Sequence, residues 1–211
     1  MKQRIHLLGG LFSVLIAFSV QGGDNTVDMK FAPSKDTFIK REPIIVTCTL
    51  SNLSSNVITM NLGYDRVKGF LFSLDGSKQF NNSRFEGGIS RGSDVTLKPG
   101  EAYQSRIILD EWILPLKNGS NSITACLNYN GSKFTNVFTV KLVEPTGNDL
   151  EVALGALITR AATTKDMEEQ IDLERGLRVA AEQSPRVRAF LNRQAAELKS
   201  IIENIGRGFV D

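Results

Sequence analysis

Residues 43–52 read PIIVTCTLSN. Ile44, Val46, Cys48 and Leu50 alternate there with Ile45, Thr47, Thr49 and Ser51. Successive side chains of a strand point to opposite faces, so the pattern predicts an extended segment with one face turned to an apolar core. Such a strand needs partners with the same period.

The partners are present. In GFLFSLDGSKQF (69–80) Phe70, Phe72 and Leu74 share one face ahead of Asp75-Gly76, a dipeptide suited to a tight hairpin turn. In ITACLNYNGSKFTNVFTVKL (123–142) the device recurs: Ile123, Ala125, Leu127 and Tyr129 alternate before Asn130-Gly131, and Phe134, Phe138, Val140 and Leu142 share a face after it. EAYQSRIILD (101–110) puts Tyr103, Ile107 and Leu109 on one side. Short alternating strands punctuated by turn residues predict an antiparallel β-sandwich over residues 25–143, a length that accommodates a proper core.

The chain has two cysteines, Cys48 and Cys126. Parity places Cys48 with Ile44, Val46 and Leu50 on the core face, and Cys126 with Ser122, Thr124 and Asn128 on the outward face. A bridge needs the two Cα atoms within about 7 Å, and stacked sheets lie about 10 Å apart. A β-bulge at Ala125 would flip the parity and permit the bridge. Without one, parity argues against a disulfide.

Composition changes at residues 144–148, EPTGN, where Pro145 and Gly147 make a linker. Residues 149–206 then carry two to three helices. Leu150, Ala153, Leu154, Leu157, Ile158 and Ala161 form a stripe behind Asn148 or Asp149 as cap. Thr163 with Asp166 reads as a capping box for a stretch from Met167 to Ala181, and Ser184-Pro185 as a cap followed by a first-turn proline. A stripe of Val187, Phe190, Leu191, Leu198, Ile201, Ile202 and Ile205 follows, closed by Gly206. These faces are expected to pack on one another and on the sandwich.

At the other end, Lys2 and Arg4 precede an uncharged apolar run from Leu7 to Val20, shorter than the roughly 20 apolar residues of a membrane span. Residues 1–19 are therefore expected to be a signal peptide cleaved after Ser19, with Gly22 as the alternative. The expected location is periplasmic or extracellular, with no integral membrane span after cleavage. Removing Lys2 and Arg4 takes the formal charge from +2 to 0 and removes His6, the only histidine. A neutral surface with no basic stripe excludes nucleic acid as the expected partner.

Four segments in this order resemble bacterial exported immunoglobulin-like domains: REPIIVTCTLSN, LKPGEAYQSRIIL, LPLKNGSNSITACLNYN and TNVFTVKLVEP. The resemblance implies that Asn52, Pro99-Gly100-Glu101 and Gly119 are turn and strand-end residues. AEQSPRVRAFLNRQAAELKSII is similar to one helix pair of a tetratricopeptide-like array. The expected fold class is thus mainly β with an α tail, an immunoglobulin-like antiparallel β-sandwich plus a C-terminal helical hairpin. Unlike antibody-type domains, the chain has no Tyr-x-Cys at its second cysteine, and Trp112 lies outside the expected strand. Such bacterial domains are generally binding or spacer modules.

The residues left for chemistry are few. Without histidine, Ser-His-Asp and Cys-His catalysis are excluded, and there is no Ser-x-x-Lys or P-loop. Two cysteines of opposite parity make no zinc site, and no cofactor is expected. Asp110-Glu111-Trp112 sets two acids beside the chain's single tryptophan, readable either as a sugar-stacking site on Trp112 or as a strand end with a core tryptophan. The loop NNSRFEGGISRGSD (81–94) offers Arg84, Phe85 and Arg91 as candidate recognition residues, or is simply a flexible connection. The expected function is a non-enzymatic exported binding or scaffold module with a protein partner. A proteinase inhibitor of β-sandwich type, or a carbohydrate-binding module, is the alternative.

Overall fold

The computed structural model describes residues 26–63, 67–74, 77, 80–81, 92–112, 114–181 and 184–207, without the side chains of 198 and 201–207. The expected signal peptide, the Asp75-Gly76 turn, and Arg84, Phe85 and Arg91 all lie outside the described residues.

Among the described residues nine strands precede three helices. In chain order they are β1 (Val27–Pro33), β2 (Thr37–Ile39), β3 (Ile45–Asn52), β4 (Ile58–Asn61), β5 (Leu71–Leu74), β6 (Asp94–Leu97), β7 (Ala102–Ile108), β8 (Gly119–Tyr129) and β9 (Ser132–Val143). The helices are α1 (Asp149–Thr163), α2 (Met167–Ala180) and α3 (Pro185–Arg207). One sheet has the order β1-β3-β7, the other β2-β9-β8-β5, and β4 pairs with β6 as a separate ribbon. All pairings are antiparallel except β2 with β9, which is parallel through Phe38 opposite Leu142. The chain thus crosses from the first sheet to the second between β1 and β2. The architecture is a β-sandwich with a helical tail.

The decisive segment lies where its period puts it. Ile44, Val46, Cys48 and Leu50 are buried in the sandwich core with Phe70, Phe72, Ile123, Leu127, Phe138 and Val140. Phe31 of β1 ties the layers together, edge-on to Phe70 and Phe72 and stacked 5.3 Å from Phe138. Its backbone N–H donates to Asn136 Oδ1 of β9 at 3.2 Å, so a buried amide stitches β1 to the opposite sheet. The β8–β9 hairpin turns at Asn130 and Gly131, both at positive φ (49° and 74°), which is what a two-residue turn of this hand requires.

Asn52 and Gly119 sit at strand ends and Gly100 in a turn, as expected. The buried Asn52 amide donates to Asn56 O and Leu97 O, and its Oδ1 accepts from Ser54. The side chain therefore caps the end of β3 and ties it to β6. Gly100 takes φ 77° in the turn between β6 and β7.

Both cysteines are free and buried. Cys126 pairs across to Leu71 and Thr135, on the face of β8 opposite the Ile123–Ala125–Leu127 side. The parity that separates the two thiols holds, with no flip at Ala125. The difference from the sequence reading is that the outward face is covered at that point, leaving Cys126 with no exposure. Burial pushes both thiols above their ordinary pKa, so neither is a ready nucleophile.

The tail holds three helices rather than a hairpin, and the predicted caps need correction: α3 runs through Gly206 to Arg207, and Asn148 precedes α1 without a side-chain cap bond. Asp166 itself is the N-cap of α2, its Oδ1 accepting from the N–H groups of Glu168 and Glu169. Thr163 instead ends α1, its hydroxyl donating back to Thr159 O. Ser184 does cap α3, accepting from Val187 N–H while donating to Glu151 of α1. No helix among the described residues is long and apolar enough to cross a membrane.

Candidate functional site

The chemistry-bearing residues converge where α2 crosses the outer face of β7. Two residues of that face, Ile45 on β3 and Ile108 on β7, are buried under the helices with Leu154, Leu173, Leu177 and Phe190. Strand parity alone puts Ile45 on the solvent side. The helical layer is what covers it. Close approach depends on Gly176 of α2: a Cβ there would lie 3.1 Å from Pro43 Cβ and 3.5 Å from Ile108 Cδ1.

β7 ends in a 3-10 turn, Leu109–Glu111, closed by Trp112 N–H donating to Leu109 O. The turn sends Leu109 and Trp112 into the sandwich core and Glu111 sideways into the seam. Glu111 is 4% exposed and fully engaged. Lys68 Nζ lies 2.5 Å from its Oε2, and Arg175 of α2 donates to both oxygens, from Nη2 at 2.9 and 2.8 Å and from Nε at 3.1 Å. Two-point pairing of guanidinium with carboxylate is the strong form of this contact.

The network continues along α2. Asp172, also buried, lies 3.9 Å from Arg175 and 3.8 Å from Arg106 of β7. Arg106 approaches Glu169 at 4.0 Å, and Glu169 is also paired with Arg160 of α1. Hydrogen bonds from Thr164 and Arg160 hold the Glu169 carboxyl below its ordinary pKa. The seam is thus a run of alternating charges from Lys68 to Arg160.

Asp110 behaves differently. Its Oδ2 accepts from Ile44 N–H at 2.7 Å, and burial pushes its pKa up to about 6 against that bond, with the charges of Glu111 and Glu42 adding to the rise. Glu42, buried beside it, is tied to Lys35 at 2.5 Å and accepts Ile39 N–H.

Trp112 is 2% exposed. Its indole N–H donates to Phe70 O at 3.1 Å, its ring meets Phe72 edge-on at 5.0 Å, and Lys68 Nζ sits 5.3 Å from the ring centre. The sugar-stacking reading is corrected by this: the ring has no open face to offer, because the turn that leaves Asp110 half-buried folds Trp112 inward. Arg84, Phe85 and Arg91 lie outside the described residues. Among the described residues no group of three or more His, Cys, Asp or Glu is placed to hold a metal ion.

Sequence reasoning missed Lys68, Arg106, Asp172 and Arg175. One signal was available: Ile45 and Ile108 are apolar at outward positions of strands whose other outward residues include Thr47, Thr49, Gln104 and Arg106.

No family model matches the chain, and no curated protein matches it. Among solved structures, the chain is similar to the CARDB domain of the PF1109 protein from Pyrococcus furiosus, in complex with di-metal ions. There the identity is 13% over 56% of this chain and 87% of that one, with a TM-score of 0.34. It is similar to the sporulation control protein Spo0M of Bacillus subtilis at 13% identity, over 66% of this chain and 55% of that one, TM-score 0.37. A β-glucosidase from Listeria innocua aligns at 13% identity over 56% of this chain and 16% of its own, TM-score 0.33. Likeness at this level carries no argument about family or activity.

Proposed function

We propose that the chain is a non-enzymatic, exported binding or scaffold module of immunoglobulin-like type, acting through protein–protein contacts. The immunoglobulin-like reading is supported by strand order: β1-β3-β7 faces β5-β8-β9, the arrangement of the A-B-E and C-F-G strands of that fold. The observation that carries the functional reading is the state of the acid–aromatic site. Trp112 packs inside, and Glu111 fastens α2 to the sandwich, so the acid–tryptophan site is engaged internally. What remains for function is connections and surfaces, where rigid sandwiches carry recognition.

The test is recovery of a protein partner from the periplasmic or cell-surface fraction by the purified mature chain. Alanine at Phe85 and at Arg91 is expected to reduce that recovery. Unchanged recovery with both substitutions removes the 81–94 loop from the proposal. Inhibition across a protease panel, with stoichiometric loss of activity, replaces the scaffold reading by the inhibitor one.

A further inference from the structure

The sandwich and the helical tail bury their apolar residues separately. Among the described residues, the sandwich core contains no helical side chain, and the helical cluster takes only Ile45 and Ile108 from the strands. Neither half needs the other to close its own core. Between them lies a seam that is mostly charge, with Glu111 buried and saturated by Lys68 and Arg175.

The covalent connection is equally distinctive. Glu144 is anchored to the sandwich, its Oε1 accepting from Lys40 and Asn118 at 2.8 Å each. After it Thr146, Gly147 and Asn148 are exposed, and Gly147 has φ 54°, a backbone state open to glycine. The chain is thus pinned to the sandwich up to Glu144, while Thr146 and Asn148 are bonded forward, to Asp149 and Val152 of α1.

We propose that α1–α3 form a hinged lid, swinging as a unit about residues 145–148 and latched by Glu111, which uncovers the Ile45–Ile108 face of the sandwich when open. The argument is one of unequal losses. Opening gives up the small apolar contact on Ile45, Ile108 and Pro43 and the ion pairs of the seam, whereas unfolding either half gives up a whole core. In the closed state Glu111 is paired with Lys68 of the sandwich and Arg175 of the lid, so removing one partner strands buried charge there and favours opening. This inference stands apart from the binding reading above and holds whatever the partner is.

The chain supplies its own control, because Cys48 is buried in the sandwich core and free. The variant Ile108→Cys places a second thiol beneath the lid. Labelling of the full mature chain with a maleimide, read site by site by mass spectrometry, compares lid opening with sandwich unfolding. The introduced thiol is expected to react at least about a hundred-fold faster than Cys48. Adding Glu111→Gln should accelerate it by about a further hundred-fold and leave the Cys48 rate unchanged. Should that double variant fail to fold, Arg175→Met, which keeps Lys68 on Glu111, gives the same comparison with a smaller rise. Equal labelling of both thiols in every variant that folds overturns the proposal, since sandwich and helices then open as one. An introduced thiol that never outpaces Cys48 does so equally.

Discussion

Replacing Asp110 by asparagine should make the protein more stable at neutral pH, not less. The Asp110 carboxyl is pushed from 3.8 up to about 6, with burial as the main cause. A folded-state pKa above the unfolded one means that the folded protein holds the proton more tightly. The favourable contribution is therefore fully present below about pH 4 and is lost as pH rises through about 6. Two units at 1.36 kcal/mol each set a ceiling of about 3 kcal/mol at pH 7.5. Asp110 is only half-buried, so about 1–2 kcal/mol is the expected gain. The asparagine carbonyl can still accept the Ile44 N–H that Oδ2 accepts at 2.7 Å, so the backbone keeps its partner while the charge is removed. For a chain of this size the gain corresponds to a rise in Tm of about 2–8 °C. Urea melts of wild type and Asp110→Asn at pH 7.5 and pH 4 measure it, provided the slopes agree. The variant should be more stable at pH 7.5, and the difference should close at pH 4. A loss of stability at pH 7.5, or a gap that does not narrow on acidification, would refute the reasoning by showing that the charged form is the one this site favours.

Further expectations concern packing. A Cβ at Gly63 would fall against the Gly69 backbone nitrogen, and φ there is 73°, so Gly63→Ala should lower stability by about 2–4 kcal/mol, read by the same melts. Trp112→Ala should cost about 3–5 kcal/mol, and wild-type tryptophan emission should be blue-shifted, poorly quenched by acrylamide and indifferent to glycans; quenching by a sugar would reopen the stacking reading. Thiol titration without reductant should find two thiols in denaturant and almost none in the folded protein. Zero thiols after unfolding would mean that Cys48 and Cys126 share a face after all.

The β-rich half was legible because its signals are local. The alternation in 43–52, 123–129 and 134–142 states which side chains point the same way, and a strand offers two directions only. Asn130-Gly131 states its turn because both residues accept positive φ. Ser184-Pro185 announces a helix start for a similar reason, since its hydroxyl can serve an N–H three residues on. Thr163 misled because two potential caps, three residues apart, compete for one helix start. The one that meets the free N–H groups is decided by where α1 stops.

Parity separated Cys48 from Cys126 from sequence alone, yet it could not say that the outer side of β8 would be covered. The same limit hid the seam. That Ile45 points outward follows from period two; that α2 lies over it does not. Glu111 and Arg175 are 64 residues apart and leave no mark on each other's neighbourhood in the sequence. Trp112 stood open to two readings until the turn at Leu109–Glu111 was placed, because one residue's rotation there decides between core and solvent. The direction of each side chain along a strand or helix was set by local backbone geometry, and so was written in the sequence. What each face meets, and hence which charges are buried together, depends on the packing of distant segments and was decided only in three dimensions.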